Sequence, residues 1–494
     1  MGFFRSLEEI KAYTYGIHSP AGVEDQFVSE ALKDFDMDLY ESLGEYTKRG
    51  ATAYEVEEIF YEVQGGNQNR TIEIDSSTMG VLNYAMKRVR QRLPKAVEPW
   101  SVEETIAGLH KDTSAGYGYP GKKKGDVLDK IESKVRDVML KAKMGVPQVP
   151  EPTLLGTRGH MHINTSRNRR VIYNVPASQI TLEQMFVSPI MVAVKKEKNG
   201  LIFTGQDVLP RLRDLSAKCF PRGSSVVRTD FDKFDRNTVT ALLDMALDII
   251  EDMIDFTTWK GKKLRASEQK RYRRVWEYVR LYFIHTPIML PNGKLEWLDG
   301  TIISGSGLTQ LVGSIITAIL IESVAYHEGN GIYELHTLGD DGFVALARRP
   351  NLDMWEQKFQ EWFGAVLSKK KTQVFDGKRP DKQFLGYKFK GGMLVRDSFD
   401  WFNLALHPER EVDTVEKSFS RLIAYMHLGA VNDVKFSKFF EHYQSGYAIS
   451  NVDLIMDYDM KAKMMYGGMN FEKKGLFNYT RADFVFGVLT YKYN

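Results

Sequence analysis

Hydrophobic and polar positions change rhythm several times along this chain, and each change predicts an element. The first hundred residues are strongly charged and read as helical, as in YEVEEIFYEV at 54–63. A stretch with turn chemistry, DTSAGYGYPGKKKGD at 112–126, interrupts them and leads into a helical pattern that ends near Gly145. RRVIYNVP at 169–176 and SSVVRTDF at 224–231 are rich in β-branched and aromatic residues and predict strands. Helical sequence follows at 238–255, and IMLPNGKLEWL at 288–298 predicts a hairpin turning on Asn-Gly. After Ser304 comes an apolar run, LVGSIITAILI, which predicts a buried helix. HTLGDDGFVAL at 336–346 then predicts a second hairpin, its Asp-Gly pair suited to the positive φ angles of a tight turn. FLGYKF at 384–389 predicts one more strand, and the last quarter reads as helical with many aromatics. This order of strands and helices points to an α+β fold with helical additions, not a doubly wound sheet.

Composition narrows the class. A chain of 494 residues is too long for one simple core and predicts two or more subdomains. Its 43% hydrophobic and 12% aromatic content suits packed cores rather than disorder. The single cysteine, Cys219, excludes an internal disulfide framework and a Cys-rich zinc module. Residues 300–321 carry no charge and could span a bilayer by length alone. Their first half is rich in glycine, serine and threonine, however, so a core helix is predicted and no membrane association. The N-terminus lacks the apolar region of a signal peptide. Gly2 and Ser6 match the myristoylation spacing, against which stands the bulky Phe3.

Net charge is only +3, yet positive residues cluster at 121–125, 167–170, 260–263, 270–274 and 369–371. Any one cluster reads as a solvated surface. Five of them in a nearly balanced chain predict grooves suited to a polyphosphate partner.

Three segments carry candidate chemistry. Asp230 follows the apolar strand SSVV, which places its carboxylate near the strand's C-terminal end. If that strand lies beside the hairpin bearing Asp340 and Asp341, three carboxylates converge. Like charges so close repel unless cations hold them, and Mg2+ is the hard cation that carboxylates and substrate phosphates share. Between the two acidic segments lies ISGSGLTQLVGS at 303–314, whose glycines let backbone approach a ligand ahead of a helix N-terminus.

Taken in order, these segments resemble the motifs of viral RNA-dependent RNA polymerases, most closely those of the partitivirus and picobirnavirus group of double-stranded RNA viruses. TDFDKFD matches motif A, SGSGLTQLVGS motif B, LGDD motif C, LSKKKT motif D and FLGYKF motif E. TSAGYGYP at 113–120 resembles the fingers motif at the template entrance, and RRVIYNVP the basic motif that holds the triphosphate. SFSRLIAYMHLGA, within 408–430, resembles the group's thumb.

The resemblance implies a right-handed polymerase with an antiparallel-sheet palm and largely helical fingers and thumb. Residues 1–70 would bridge fingers and thumb; 71–215 and 241–287 would be fingers; 216–240 and 288–390 palm; 391–494 thumb. Asp230 and Asp340 would ligate two Mg2+ ions, for which Mn2+ can substitute, with Asp341 beside them. Lys371 would protonate pyrophosphate. Asp235 would recognise the ribose 2′-hydroxyl, while Ser304, Gly305, Thr309 and Gln310 would position template and nucleotide. Arg170, helped by Arg158, would contact the triphosphate, and Ser114, Gly116 and Tyr117 the template. Many such enzymes have asparagine where this chain has Gly313, so Ser314 or Thr317 is expected to supply that sugar contact. Substrates would be an RNA template and ribonucleoside triphosphates, with the viral capsid protein as partner inside a virion in the host cytoplasm.

Three other readings are weaker. A reverse transcriptase would carry an aromatic residue at position 235 to exclude the 2′-hydroxyl, where aspartate can accept a hydrogen bond from it. A non-catalytic RNA-packaging protein needs no ordered acidic motifs. A metal-dependent phosphatase or nuclease leaves the motif B loop without a role.

Overall fold

The computed structural model describes residues 23–47, 51–67, 74–158, 162–163, 170–197, 200–203, 208–237, 239–376, 383–390, 393–408 and 411–449. Gly2, Ser6 and three residues of the 167–170 cluster lie outside the described residues.

A four-stranded antiparallel sheet forms the centre: β1 Ser225–Thr229, β2 Ile332–Leu338, β3 Asp341–Leu346 and β4 Gln373–Asp376, in the order β2-β3-β1-β4. Val226 and Val227 of β1 are both fully buried, and the two-residue period of a strand sends them to opposite faces. Val227 joins Val344 and Leu346 in the core beneath the helix Thr309–His327. Val226 joins Phe343 and Ala345 in a second core shared with the C-terminal helices. Burial on both faces explains why these strands read as continuous apolar runs. Thr309–His327 is apolar on all sides and buried from Leu311 to Ala325. It is long and apolar enough to cross a membrane, but 83% of its most apolar window is buried inside the protein.

The predicted 288–298 hairpin forms as His285–Met289 and Leu295–Asp299, with Gly293 at φ 86° in the turn. It joins a different sheet, because His285–Met289 pairs with Thr153–Arg158, which in turn pairs with Arg170–Asn174. The described N-terminal residues contact two separate parts of the fold. Gln26–Phe35 packs on the helices Ser398–Leu406 and Val434–Gly446, within the second core. There the buried Asp25 accepts hydrogen bonds from Arg421 and from the Ser418 hydroxyl (2.8 Å). Further along, Tyr46–Thr47 pairs with His162–Ile163, and Ala53–Asn67 lies on the sheet containing Leu295–Asp299.

Two local expectations are corrected. FLGYKF is not one strand: Leu385 (φ 53°) and Gly386 (φ 80°) turn the chain between Gln383–Phe384 and Tyr387–Lys390. The turn of the acidic hairpin is Gly339-Asp340, not Asp341-Gly342, because β2 pairs Leu338 with Asp341 and the positive φ (63°) falls on Gly339. Gly342 lies inside β3 for another reason. A Cβ there would sit 2.4 Å from Thr229 Oγ1 and 2.6 Å from Ile321 Cδ1, so the helix rests directly on the strand backbone.

Candidate active site

The sheet register assembles the acidic cluster. Gly342 pairs with Thr229, so one step further along the two strands Asp341 stands across from Asp230. The carboxyl of Asp341 is pushed up to about 7 by burial, then by the charges of Asp340 and Asp230, against the opposing pull of Arg228. The Arg228 guanidinium lies 3.7 Å from Asp230 and 3.9 Å from Asp341. Sequence reasoning overlooked Arg228, although a two-residue spacing in a strand already puts it on the face of Asp230.

Lys371 is the member of its lysine triplet that reaches this cluster, 3.3 Å from Asp230 and 3.3 Å from Asp232. Burial of the ammonium opposes its charge, but the two carboxylates hold its pKa above the ordinary value. Lys369 turns away to Asp353 (2.8 Å) and Glu356 (2.5 Å). The backbone around Lys371 is tied down as well: Ser368 N–H donates to Asp230 O (2.8 Å), and Asp230 N–H to Thr372 Oγ1 (3.3 Å). Two other basic clusters are partly neutralised on the surface, Lys260 by Glu103 (3.3 Å) and Arg273 by Glu251 (2.8 Å).

Motif B braces the acidic turn. Ser314 is fully buried; its hydroxyl donates to Gln310 O (2.7 Å) and accepts from Gly339 N–H (2.9 Å). Thr317, equally buried, donates to Gly339 O (2.8 Å). The helix thus holds both polar groups of one turn residue. Gly313 lies against the same turn, where a Cβ would stand in van der Waals contact with Gly339 Cα at 3.4 Å. Ser314 and Thr317, the residues expected to contact the sugar, have their hydroxyls buried and bonded to the turn. The Thr309 hydroxyl donates to Ile303 O and Ser306 O (2.9 Å), so it shapes the loop from within. Gln310 and Ser304 are exposed, as a ligand-facing role requires.

Asp235 is exposed on the short helix Phe234–Asn237, and its backbone oxygen accepts from Ile302 N–H (3.3 Å) at the start of the motif B loop. The strand Arg170–Asn174 runs against that same loop. Tyr173 N–H donates to Ser304 Oγ (3.4 Å), and a Cβ on Gly305 would collide with Tyr173 O at 1.7 Å. The 113–120 turn packs at the end of the strand, where Ser114 Oγ accepts from Asn174 (2.9 Å). Gly116 takes φ 76° against Val175 and Pro176. Tyr117 is buried, so its ring belongs to the packing of this turn. The strand register sets Arg158 opposite Arg170, while their side chains lie outside the described residues.

The donor set consists of carboxylate oxygens, the chemistry a hard divalent cation prefers. Mutual repulsion at Asp341 is what such a cation would relieve. Among the described residues no three His, Cys, Asp or Glu side chains stand close enough together to hold a metal ion. Arg228 and Lys371 supply the positive charge in this arrangement.

Comparisons with known proteins give the fold and the family. The crystal structure of the RNA-dependent RNA polymerase of a human picobirnavirus superposes with a TM-score of 0.67 at 17% identity, covering 88% of this chain and 86% of that one. Its insertion-loop deletion mutant gives 0.64 at 16% identity, covering 89% and 90%. These likenesses show the right-hand polymerase fold. No curated protein matches the chain. The family model described as "Viral RNA-dependent RNA polymerase" matches residues 77–444, well over half of the sequence. Its members generally use divalent metal ions. The chain belongs to the viral RNA-dependent RNA polymerases and is an RNA-directed RNA polymerase.

Proposed function

We propose that this polymerase joins ribonucleotides by two-metal-ion nucleotidyl transfer, in transcription and replication of a double-stranded RNA genome. The observation that carries the reading is the placement of Asp230 across from Asp341, beside a turn gripped by Ser314 and Thr317. Asp230 and Asp340, with Asp341 beside them, would hold two Mg2+ ions, or Mn2+ in their place. When bound, the ions supply charge neutralisation at the attacking 3′-oxygen and the departing pyrophosphate. Ser304, Gly305 and Gln310 would position template and nucleotide, and Arg158 and Arg170 would contact the triphosphate. Asp235 reads the 2′-hydroxyl, Lys371 hands a proton to pyrophosphate, and Ser114 and Gly116 shape the template path. Nucleotide addition is then mainly positioning and electrostatics, as phosphoryl transfer requires.

The subdomains follow the sheets. Palm would comprise 216–240 and 288–390, and fingers 71–215 and 241–287, with the 285–299 hairpin at their boundary sharing a sheet with Thr153–Arg158. Thumb would comprise 391–494, and the described part of residues 1–70 touches both the helices Ser398–Leu406 and Val434–Gly446 and the strand His162–Ile163. The enzyme works in the virion, in the host cytoplasm, with the capsid protein as partner.

The test is RNA synthesis by purified protein on a single-stranded RNA template with ribonucleotides, with and without Mg2+ or Mn2+. Template-length product that requires metal and vanishes in Asp340→Ala is expected. Near-normal synthesis by that variant would remove the metal site from the mechanism.

A further inference from the structure

We propose that Glu183 is a positioning residue for nucleotide addition, a buried carboxylate that fixes the shape of the motif B loop from behind. The inference rests on the loop role proposed above. Glu183 lies on the helix Ala177–Lys196 and is fully buried. One carboxylate oxygen accepts from the Ser306 hydroxyl (2.8 Å) and from Gly307 N–H (2.7 Å); the other accepts from Gln179 Nε2 (3.2 Å). A carboxylate without water is costly to bury unless its oxygens are bonded, and here the loop supplies two of the three donors. Burial pushes this carboxyl up to about 7 in spite of them.

The loop is wedged from both sides. Gly305 abuts Tyr173 O on the strand bearing Arg170, and Ser304 Oγ accepts from Tyr173 N–H. On the other side a Cβ at Gly307 would sit 2.6 Å from Gln184 Nε2 and 3.4 Å from Glu183 Oε2. The Glu183 bonds to Ser306 and Gly307 therefore set where the adjacent, exposed Ser304 stands and where the helix beginning at Thr309 starts. Glu183 itself, without solvent exposure, acts only through those two residues.

Glu183→Met keeps the length but removes both acceptor oxygens, so the Ser306 hydroxyl and Gly307 N–H lose their partner. Ser306→Ala removes the same bond from the partly exposed loop side and serves where the buried substitution prevents folding. Each variant is examined by hydrogen–deuterium exchange over 303–308, single-nucleotide extension on primed RNA, and RNA binding by fluorescence anisotropy. Exchange at 303–308 should rise and the apparent nucleotide Kd should rise about tenfold in Glu183→Met, less in Ser306→Ala. RNA affinity should stay within about twofold, and the double variant should be no worse than Glu183→Met. Unchanged exchange at 303–308 in a folded variant overturns the clasp. Raised exchange with wild-type extension kinetics overturns the positioning role of Glu183 and leaves the role of Ser304 and Gln310 standing. Neither result touches the acidic cluster, which Asp340→Ala tests separately.

Discussion

The Lys371 ammonium lies 3.3 Å from a carboxylate oxygen of Asp230, the residue at the end of β1. The contact joins residues 141 apart in the chain and selects one lysine from a run of three. In a proton-transfer role this lysine contributes to the chemical step more than to binding. Lys371→Leu should slow single-turnover nucleotide addition by at least about 100-fold, with RNA affinity retained. Lys369→Leu, which loses only Asp353 and Glu356, should add nucleotides at the wild-type rate. Equal rates for wild type and Lys371→Leu would remove the lysine from proton transfer.

Asp235 is exposed beside the motif B loop, where an aromatic side chain would close off the space for a 2′-hydroxyl. Asp235→Ala should lower the ratio of kcat/KM for a ribonucleotide over its deoxy counterpart by about tenfold, the worth of one hydrogen bond of about 1–1.5 kcal/mol. A ratio that does not move would assign ribose selection elsewhere.

Gly342 allows the motif B helix to touch the palm strand. Gly342→Ala should destabilise the protein by about 1–3 kcal/mol through overpacking against Thr229 and Ile321, seen as a lower urea midpoint. Gly80→Ala is the matched control. Nothing lies within 4 Å of its added methyl group, in the helix Ser76–Gln91, and it should be neutral or stabilising by about 0.5–1 kcal/mol. A Gly342→Ala midpoint equal to the control's would contradict the close approach.

His427 is buried in the helix Val415–His427, and burial lowers its pKa to about 4 from the ordinary 6.5. The fold holds the neutral ring, so this contribution is complete above pH 6.5 and is lost as pH falls through about 4. At most about 3 kcal/mol is involved. His336, also lowered by burial, adds loss of the same sign. Unfolding midpoints measured from pH 7.5 to 4.5 should fall less steeply in His427→Gln than in the wild type. Parallel curves would show that His427 charges without penalty.

Local physics made much of this protein legible. A helix apolar on all sides must be buried, a valine-rich strand must be covered, and Gly-Asp-Asp between apolar runs must turn. The order of the acidic and glycine-rich segments pointed to the polymerase before any contact was known. Short-range pattern also misled: Asp-Gly looked like the turn, but Gly342 is there for the helix that crosses it.

Contacts between distant segments were decided by tertiary structure alone. Ser314 and Thr317 looked available to a sugar, and only the fold shows them holding Gly339. Three adjacent lysines are equivalent in sequence until β4 and the turn before it aim one at Asp230. The 285–299 hairpin could have joined either sheet, and the choice fell to the Thr153–Arg158 strand. Glu183 reads as one more polar position on a helix, yet it meets Ser306 from 123 residues away. Periodicity reports which face of an element is buried, because that depends on its own side chains. Which element covers that face depends on chain closure and packing over the whole molecule, and no local window contains it.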